Sequence, residues 1–182
     1  KNFEAIPKIC TVLLKRGLSV KWYILGYGDR ETKIREAIQA VHMEDFVVLL
    51  GKKENPYPYI RMCDIYVQPS VYEGKCVAVR EAQLLGKPVI ITDFPTAHSQ
   101  LRDGTDGVIA PLDFYGFTDA LAALIQDNGK QEALKSACRS TDFTQYKEAE
   151  KILKFAEGRE SYAEDQRHRA DLQRRKISRA VR

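Results

Sequence analysis

Segments with apolar residues at helical spacing alternate along this chain with short, continuously apolar stretches, and that alternation restricts the fold more than any single motif. Phe3, Ile6, Ile9, Cys10, Leu13 and Leu14 recur every third or fourth residue, and Gly17 then supplies a helix stop. Val20 to Leu25 (VKWYIL) is rich in β-branched and aromatic residues and runs into Gly26-Tyr27-Gly28-Asp29, which reads as a strand entering a tight loop. Ile34, Ala37, Ile38 and Val41 mark a second helix, and Phe46 to Leu50 a strand stopped by Gly51. A short helix over 56–62 precedes a strand over 64–68; a helix over 76–85 precedes a strand over 88–92. A short helix over 97–101, a strand over 107–110, a helix marked by Phe117, Leu121, Leu124 and Ile125, and another over 131–138 complete the pattern.

Strands that are apolar throughout, separated by helices, predict an α/β fold: a Rossmann-like parallel sheet with helices on both faces. The 182 residues, 44% of them hydrophobic, suffice for one domain with its own core. The longest apolar runs, such as Phe46 to Leu50, fall far short of the roughly 20 residues of a membrane-spanning helix. Lys1-Asn2-Phe3-Glu4 does not resemble a signal peptide, and a chain opening at Lys1 inside an element reads as a fragment. Cys10, Cys63, Cys76 and Cys138 form no C-x-x-C pair and have no neighbouring histidine, so reduced thiols and a cytoplasmic setting are expected rather than zinc or disulfides. His42, His98 and His168 are isolated and read as surface or capping residues.

In open parallel sheets, ligands bind beyond the carboxyl ends of the strands, which directs attention to the loops after Leu25, Leu50, Gln68 and Thr92. Gly26-Tyr27-Gly28 is a G-x-G, but Glu31 stands where a dinucleotide fingerprint has its third glycine. A turn needing positive φ and a close approach of backbone to phosphate both remain open there. The segment 69–82 (PSVYEGKCVAVREA) is the richest in chemistry. It places Glu73 just before a helix and Glu81 inside it. Eight residues of helical rise would separate them by roughly 12 Å, too far for one metal ion or one proton-transfer pair but suited to different parts of one long ligand. The helix N-terminus between them favours an anion such as a phosphate. Equally, Glu73 could simply favour the helix start, and Glu81 could be a solvated residue in a surface ion pair.

Pro69-Ser70, Glu73-Gly74, Glu81-Ala82, Gly86-Lys87-Pro88-Val89-Ile90 and Asp103-Gly104-x-x-Gly107 form an ordered series. The series resembles the C-terminal half of GT-B glycosyltransferases of family 4 over roughly residues 1–155. Asn55 to Ile60 and Asp64 to Ser70 look especially like bacterial surface-polysaccharide members. The resemblance implies the donor-binding domain of a retaining enzyme that transfers a hexosyl unit from a nucleotide sugar to a polysaccharide or lipid-linked acceptor. The donor would be a UDP- or GDP-sugar, with no cofactor. No D-x-D motif is present, consistent with metal-independent chemistry in which protein cations and helix dipoles neutralise the leaving phosphate.

Residue by residue, the resemblance gives Glu73 the catalytic position against hydroxyls of the donor sugar. The amides of Gly74, Lys75, Cys76 and Val77 would face the sugar and diphosphate, Glu81 would bind the ribose, and the loop at Leu50 and Gly51 would take the base. Gly26 and Gly28 would line the cleft, and Lys1, in Lys1-Asn2-Phe3, matches a phosphate-binding lysine whose partner arginine would lie upstream. Many members read E-G-F-G where this chain has Glu73-Gly74-Lys75-Cys76. Lys75 would add a cation beside the phosphates, and Cys76 puts a side chain where glycine leaves space.

Two other readings share this sequence: a non-catalytic binding or scaffold module with the same fold, and a sugar-nucleotide epimerase. The expected organisation is a nucleotide-sugar-binding domain over 1–140, a closing crossover segment over 141–156, and a charged tail over 157–182. Ile152, Leu153 and Phe155 would contact a missing N-terminal acceptor-binding domain. Residues 158–182 hold eight Lys/Arg against four Asp/Glu, which accounts for the whole net charge of +4 and leaves residues 1–157 neutral. Basic character therefore belongs to the tail, which reads either as a partner for an anionic membrane surface or as solubilising chain, and not as a nucleic-acid site. The expected location is cytoplasmic, peripheral to the inner face of the membrane.

Overall fold

The computed structural model describes residues 1–141 and 149–157. After a 3₁₀ turn at Phe3–Ala5, the elements run α1 (Ile6–Lys15), β1 (Trp22–Leu25), α2 (Glu31–Ala40), β2 (Val47–Gly51), α3 (Tyr57–Met62), β3 (Tyr66–Gln68) and α4 (Val77–Leu84). They continue with β4 (Val89–Thr92), a 3₁₀ turn at Ala97–Ser99, β5 (Val108–Ala110), α5 (Phe114–Gln126), α6 (Asn128–Ser140) and α7 (Ala149–Ala156). No helix of the described residues is long and apolar enough to cross a membrane. The tail over 158–182 and the first part of the crossover segment, 142–148, lie outside the described residues.

All strand pairs are parallel, as the uniformly apolar strands predict, but among the described residues they form two ladders rather than one. β1 pairs with β2, Trp22 opposite Val47 and Ile24 opposite Leu49. β4 lies between β3 and β5, with Ile90 opposite both Val67 and Val108. The two ladders are joined by side chains, chiefly those of α1. Its Ile6 and Cys10, one turn apart, pack with Ile24, Ile34, Ile38 and Val47. Ile9 and Leu13, on the adjacent stripe, pack with Ile90, Val108, Phe117 and Leu121. Trp22 touches both groups.

The opposite face of β4 supplies a separate layer. Val89 and Ile91 pack with Val79 and Ala82 of α4, Tyr57 and Ile60 of α3, and Ile152 of α7. This corrects one expectation: Ile152 is buried in this domain's own core, because α7 lies across α3 and α4, whereas Leu153 is exposed. The turn at 103–107 is built as its glycines suggest. The Gly104 amide donates to the Gly107 carbonyl, and Asp103 Oδ1 accepts the Ile109 amide at 2.8 Å. A Cβ at Gly107 would lie 2.7 Å from Leu101 Cδ1 and 3.2 Å from the Val89 carbonyl, so a side chain there would require Leu101 to move and the backbone to give slightly.

Candidate functional site

The carboxyl end of β3 organises the site. Gln68, its last residue, and Ser70 are both buried, so their polar groups need partners within the protein. Tyr66 donates its hydroxyl to Gln68 Oε1 at 3.1 Å, which orients the amide so that Nε2 points onward. Burial raises the Tyr66 pKa far above the ordinary value, so the phenol remains a donor. Gln68 Nε2 then donates to Ser70 Oγ at 2.7 Å and to Glu73 Oε1 at 3.1 Å, and Ser70 Oγ donates to the same Glu73 oxygen at 2.7 Å. Lys1 Nζ, 2.7 Å away, completes the set on Oε1.

Burial alone would raise the Glu73 pKa, yet hydrogen bonds from Lys1, Ser70 and Gln68 and the Lys1 charge bring it below the ordinary carboxylate value. Glu73 is therefore ionised at neutral pH. Its other oxygen, Oε2, accepts no hydrogen bond among the described residues, so one carboxylate oxygen is fixed and the other is available to a ligand. Lys1 thus sits against Glu73 here, with its ammonium at the mouth of the same loop.

Glu81 has the opposite environment. Burial raises its pKa, and a hydrogen bond of 3.2 Å from the Tyr57 hydroxyl opposes that rise. Because α4 begins only at Val77, helical rise applies to Val77–Glu81 and not to Glu73–Cys76; the 12 Å spacing of a continuous helix does not carry over. Removing the hydroxyl in Tyr57→Phe is expected to move Glu81 further up, because the hydrogen bond that opposes the effect of burial is lost. Carboxyl carbon shifts followed against pH would show it, and an unmoved Glu81 titration would contradict it. A raised carboxylic acid contributes stability below the ordinary carboxylate range that is lost as pH rises through its folded pKa.

At the neighbouring strand ends, Gly26 has φ +130 and its amide donates to the Gly51 carbonyl at 3.0 Å. Gly51 itself has φ +68, and both backbones favour glycine. Gly28 accepts the Glu31 amide where α2 starts. The expected cleft-lining loop and base loop are thus held together. Lys52 lies over the ring of Tyr27, 5.1 Å from its centroid. Gly74, Lys75 and Val77 are exposed on the loop before α4 and in its first turn.

Cys76 differs from expectation. Its amide, assigned by resemblance to the diphosphate, donates instead to Gln100 Oε1 at 2.9 Å, and its side chain is buried in the core layer with Val79 and Phe94. That removes Cys76 from the groups available to an anion. The departure from E-G-F-G is accommodated because the side chain turns inward.

The pattern of the family described as glycosyl transferases group 1 matches residues 2–127 of this chain. The chain belongs to that family. It is similar to the amylovoran biosynthesis glycosyltransferase AmsK of Erwinia amylovora, 31% identical over 141 residues, covering 73% of this chain and 34% of that protein. The N-acetylgalactosamine-N,N'-diacetylbacillosaminyl-diphospho-undecaprenol 4-alpha-N-acetylgalactosaminyltransferase of Campylobacter jejuni is 27% identical over 143 residues, 76% of this chain and 39% of that protein. The chain spans well under half the length of these relatives. Among solved structures, a point mutant of S. aureus TarM, determined with fondaparinux, alpha-GlcNAc-glycerol and UDP, matches with a TM-score of 0.73 at 22% identity, covering 85% of this chain and 32% of that chain. At that identity the likeness speaks for the fold: parallel α/β sheets matching part of a GT-B structure.

Within this family framework, the structure adds residues that sequence reading passed over. Gln68 and Tyr66 orient the Glu73 carboxylate, Tyr57 reaches Glu81, and Thr96 and Gln100 touch the intervening loop. A glutamine closing an otherwise apolar strand was the signal for Gln68. Nothing in the spacing pointed to Tyr57 or Gln100, which act from 24 residues away.

Proposed function

We propose that this chain is the nucleotide-sugar-binding part of a retaining glycosyltransferase that moves a hexosyl unit from a UDP- or GDP-sugar to a polysaccharide or lipid-linked acceptor. The observation that carries this reading is Glu73: an ionised carboxylate with one oxygen fixed by Gln68, Ser70 and Lys1 and the other open, just ahead of a helix N-terminus. In this reading Oε2 accepts hydroxyls of the donor sugar. The exposed loop Gly74–Lys75 and the first turn of α4 face the diphosphate, where helix amides and the Lys75 ammonium stabilise charge growing on the leaving phosphate.

Glu81 as carboxylate accepts the ribose hydroxyls, and the Gly51 loop takes the base. Because its pKa is raised, nucleotide affinity should fall with pH earlier than for an ordinary glutamate. Lys1 exchanges its pairing with Glu73 for the diphosphate when the donor arrives. The acceptor and the remaining groups come from a partner domain of the same enzyme, so the chain by itself binds donor and transfers little. The names of the relatives, which concern amylovoran and an undecaprenol-linked acceptor, and the UDP bound in TarM support this reading.

Isothermal titration with a panel of UDP-, GDP- and ADP-sugars tests it. One donor class should bind; failure of the folded protein to bind any would sink the proposal. The working location is the cytoplasmic face of a membrane, with the basic residues of 158–182 against anionic lipid. Co-sedimentation with anionic vesicles should then fall sharply for a chain ending at Ala156, and equal binding by both chains would count against it.

A further inference from the structure

Glu73 to Cys76 lie between β3 and α4 in neither strand nor helix, so side chains from elsewhere must hold them in one arrangement. Those side chains come from the turn after β4. Gln100, at the end of the 3₁₀ turn Ala97–Ser99, is buried, and a buried primary amide is costly unless both its oxygen and its nitrogen find partners. Its Oε1 accepts the Cys76 amide at 2.9 Å. Its Nε2 donates to Thr96 Oγ1 at 3.2 Å and to the Gly74 carbonyl at 3.4 Å. Thr96 Oγ1 in turn donates to the Glu73 carbonyl at 2.7 Å. From the far side, Arg80 Nη2 of α4 donates to the Gln100 carbonyl at 3.0 Å, tying the turn to the helix the loop feeds.

Three backbone groups of the loop, the carbonyls of Glu73 and Gly74 and the amide of Cys76, are therefore bonded to two side chains of one distant turn. The chemistry selects glutamine at position 100. An acceptor must face the Cys76 N–H while a donor on the same side chain faces the Gly74 C=O. A carboxylate would meet that carbonyl without a proton to share, and an aliphatic side chain would strand the Cys76 amide in the core.

Resting on the nucleotide-sugar reading, we propose that Gln100 and Thr96 are positioning residues that preset the donor loop. Gln100 through the Cys76 amide and Gly74 carbonyl, and Thr96 through the Glu73 carbonyl, hold Glu73, Gly74 and the first turn of α4 in the arrangement that receives the sugar and diphosphate. They touch no ligand themselves. Their contribution is to have the loop ordered before the donor arrives, so that binding does not bear that entropic cost.

The test uses the full chain, with titrations of UDP and uridine, or GDP and guanosine if the donor panel selects guanine. Gln100→Leu should weaken the nucleoside diphosphate by about tenfold or more while the nucleoside alone binds as in the wild type, since only the phosphate end contacts the preset loop. Thr96→Val, which removes one hydroxyl, should weaken the diphosphate by about threefold with the same selectivity, and it carries the test if Gln100→Leu does not fold. Diphosphate affinity unchanged in a folded variant would overturn the proposal. So would a parallel loss for nucleoside and diphosphate, which is the mark of a merely structural role. If the wild type binds neither ligand, the nucleotide-sugar reading fails and takes this inference with it, an outcome distinct from a variant that binds as the wild type does.

Discussion

Glu73→Ala is expected to lower acceptor-dependent transfer by the full-length enzyme by at least about a hundredfold, the scale on which removing one preorganised electrostatic contact acts. The expectation follows from how the residue is held. Gln68, Ser70 and Lys1 all converge on Oε1, so on the proposed reading, in which Oε2 takes the sugar, the alanine variant loses both that contact and the charge. Truncation leaves Gln68 bonded to Ser70 and lets Lys1 turn to solvent, but takes the acceptor from the buried Ser70 hydroxyl, so the structural cost should be about 1–3 kcal/mol. Activity should therefore collapse in a protein that still melts cooperatively, at a somewhat lower temperature than the wild type. Transfer within a few-fold of wild type would show that Glu73 does not touch the donor. The pH dependence separates the two glutamates. Glu73, with a depressed pKa, contributes stability that is present above the ordinary carboxylate range and is lost only as pH falls through its folded value. Glu81, with a raised pKa, is the group that on the proposed ribose contact would weaken nucleotide binding as pH falls through its folded value.

Leu13→Ala should be the most damaging single core truncation in α1, costing about 3 kcal/mol within the 2–5 kcal/mol span of such truncations. Leu13 is fully buried and packs in the group that contains Ile90, Phe117 and Leu121, while its neighbour Cys10 packs in the group around Ile24 and Val47. A cavity there loosens the helix on which both ladders rest. Urea unfolding should show the loss, and amide exchange should show protection falling in β1 and β2 as well as in β4. A cost under about 1 kcal/mol, or loss of protection confined to one ladder, would mean that α1 is not the joint.

Element type was readable from the sequence because the period of apolar residues is a direct imprint of burial. Boundaries were less so where polar side chains decide them. The helix marked by Phe117 begins at Phe114 because Asp113 Oδ1 accepts the Gly116 amide, and the one expected from Gln131 begins at Asn128 because Asp127 accepts the Lys130 amide. The division into two ladders could not be read, since a strand's composition does not name its neighbour. The motif series singled out Glu73 and Glu81, but not what surrounds them. The two carboxylates look alike in sequence and differ in the fold only because Lys1 and Ser70 reach one and a buried tyrosine the other. Cys76 failed as a phosphate-facing residue for the same reason: its partner, Gln100, is distant in sequence.

The inward-facing Cys76 carries one more consequence. Its thiol sits in the core only while the Glu73–Cys76 backbone keeps its shape, so a thiol reagent can reach it only when the loop opens. Each opening event leaves a covalent mark, and the slow accumulation of that mark in the resting protein amounts to a clock for the loop. The other cysteines sit on different elements, Cys10 in α1, Cys63 at the end of α3 and Cys138 in α6, and burial raises the pKa of each thiol. The buried thiol at Cys76 thus gives this chain a built-in record of how often the loop between β3 and α4 lets go.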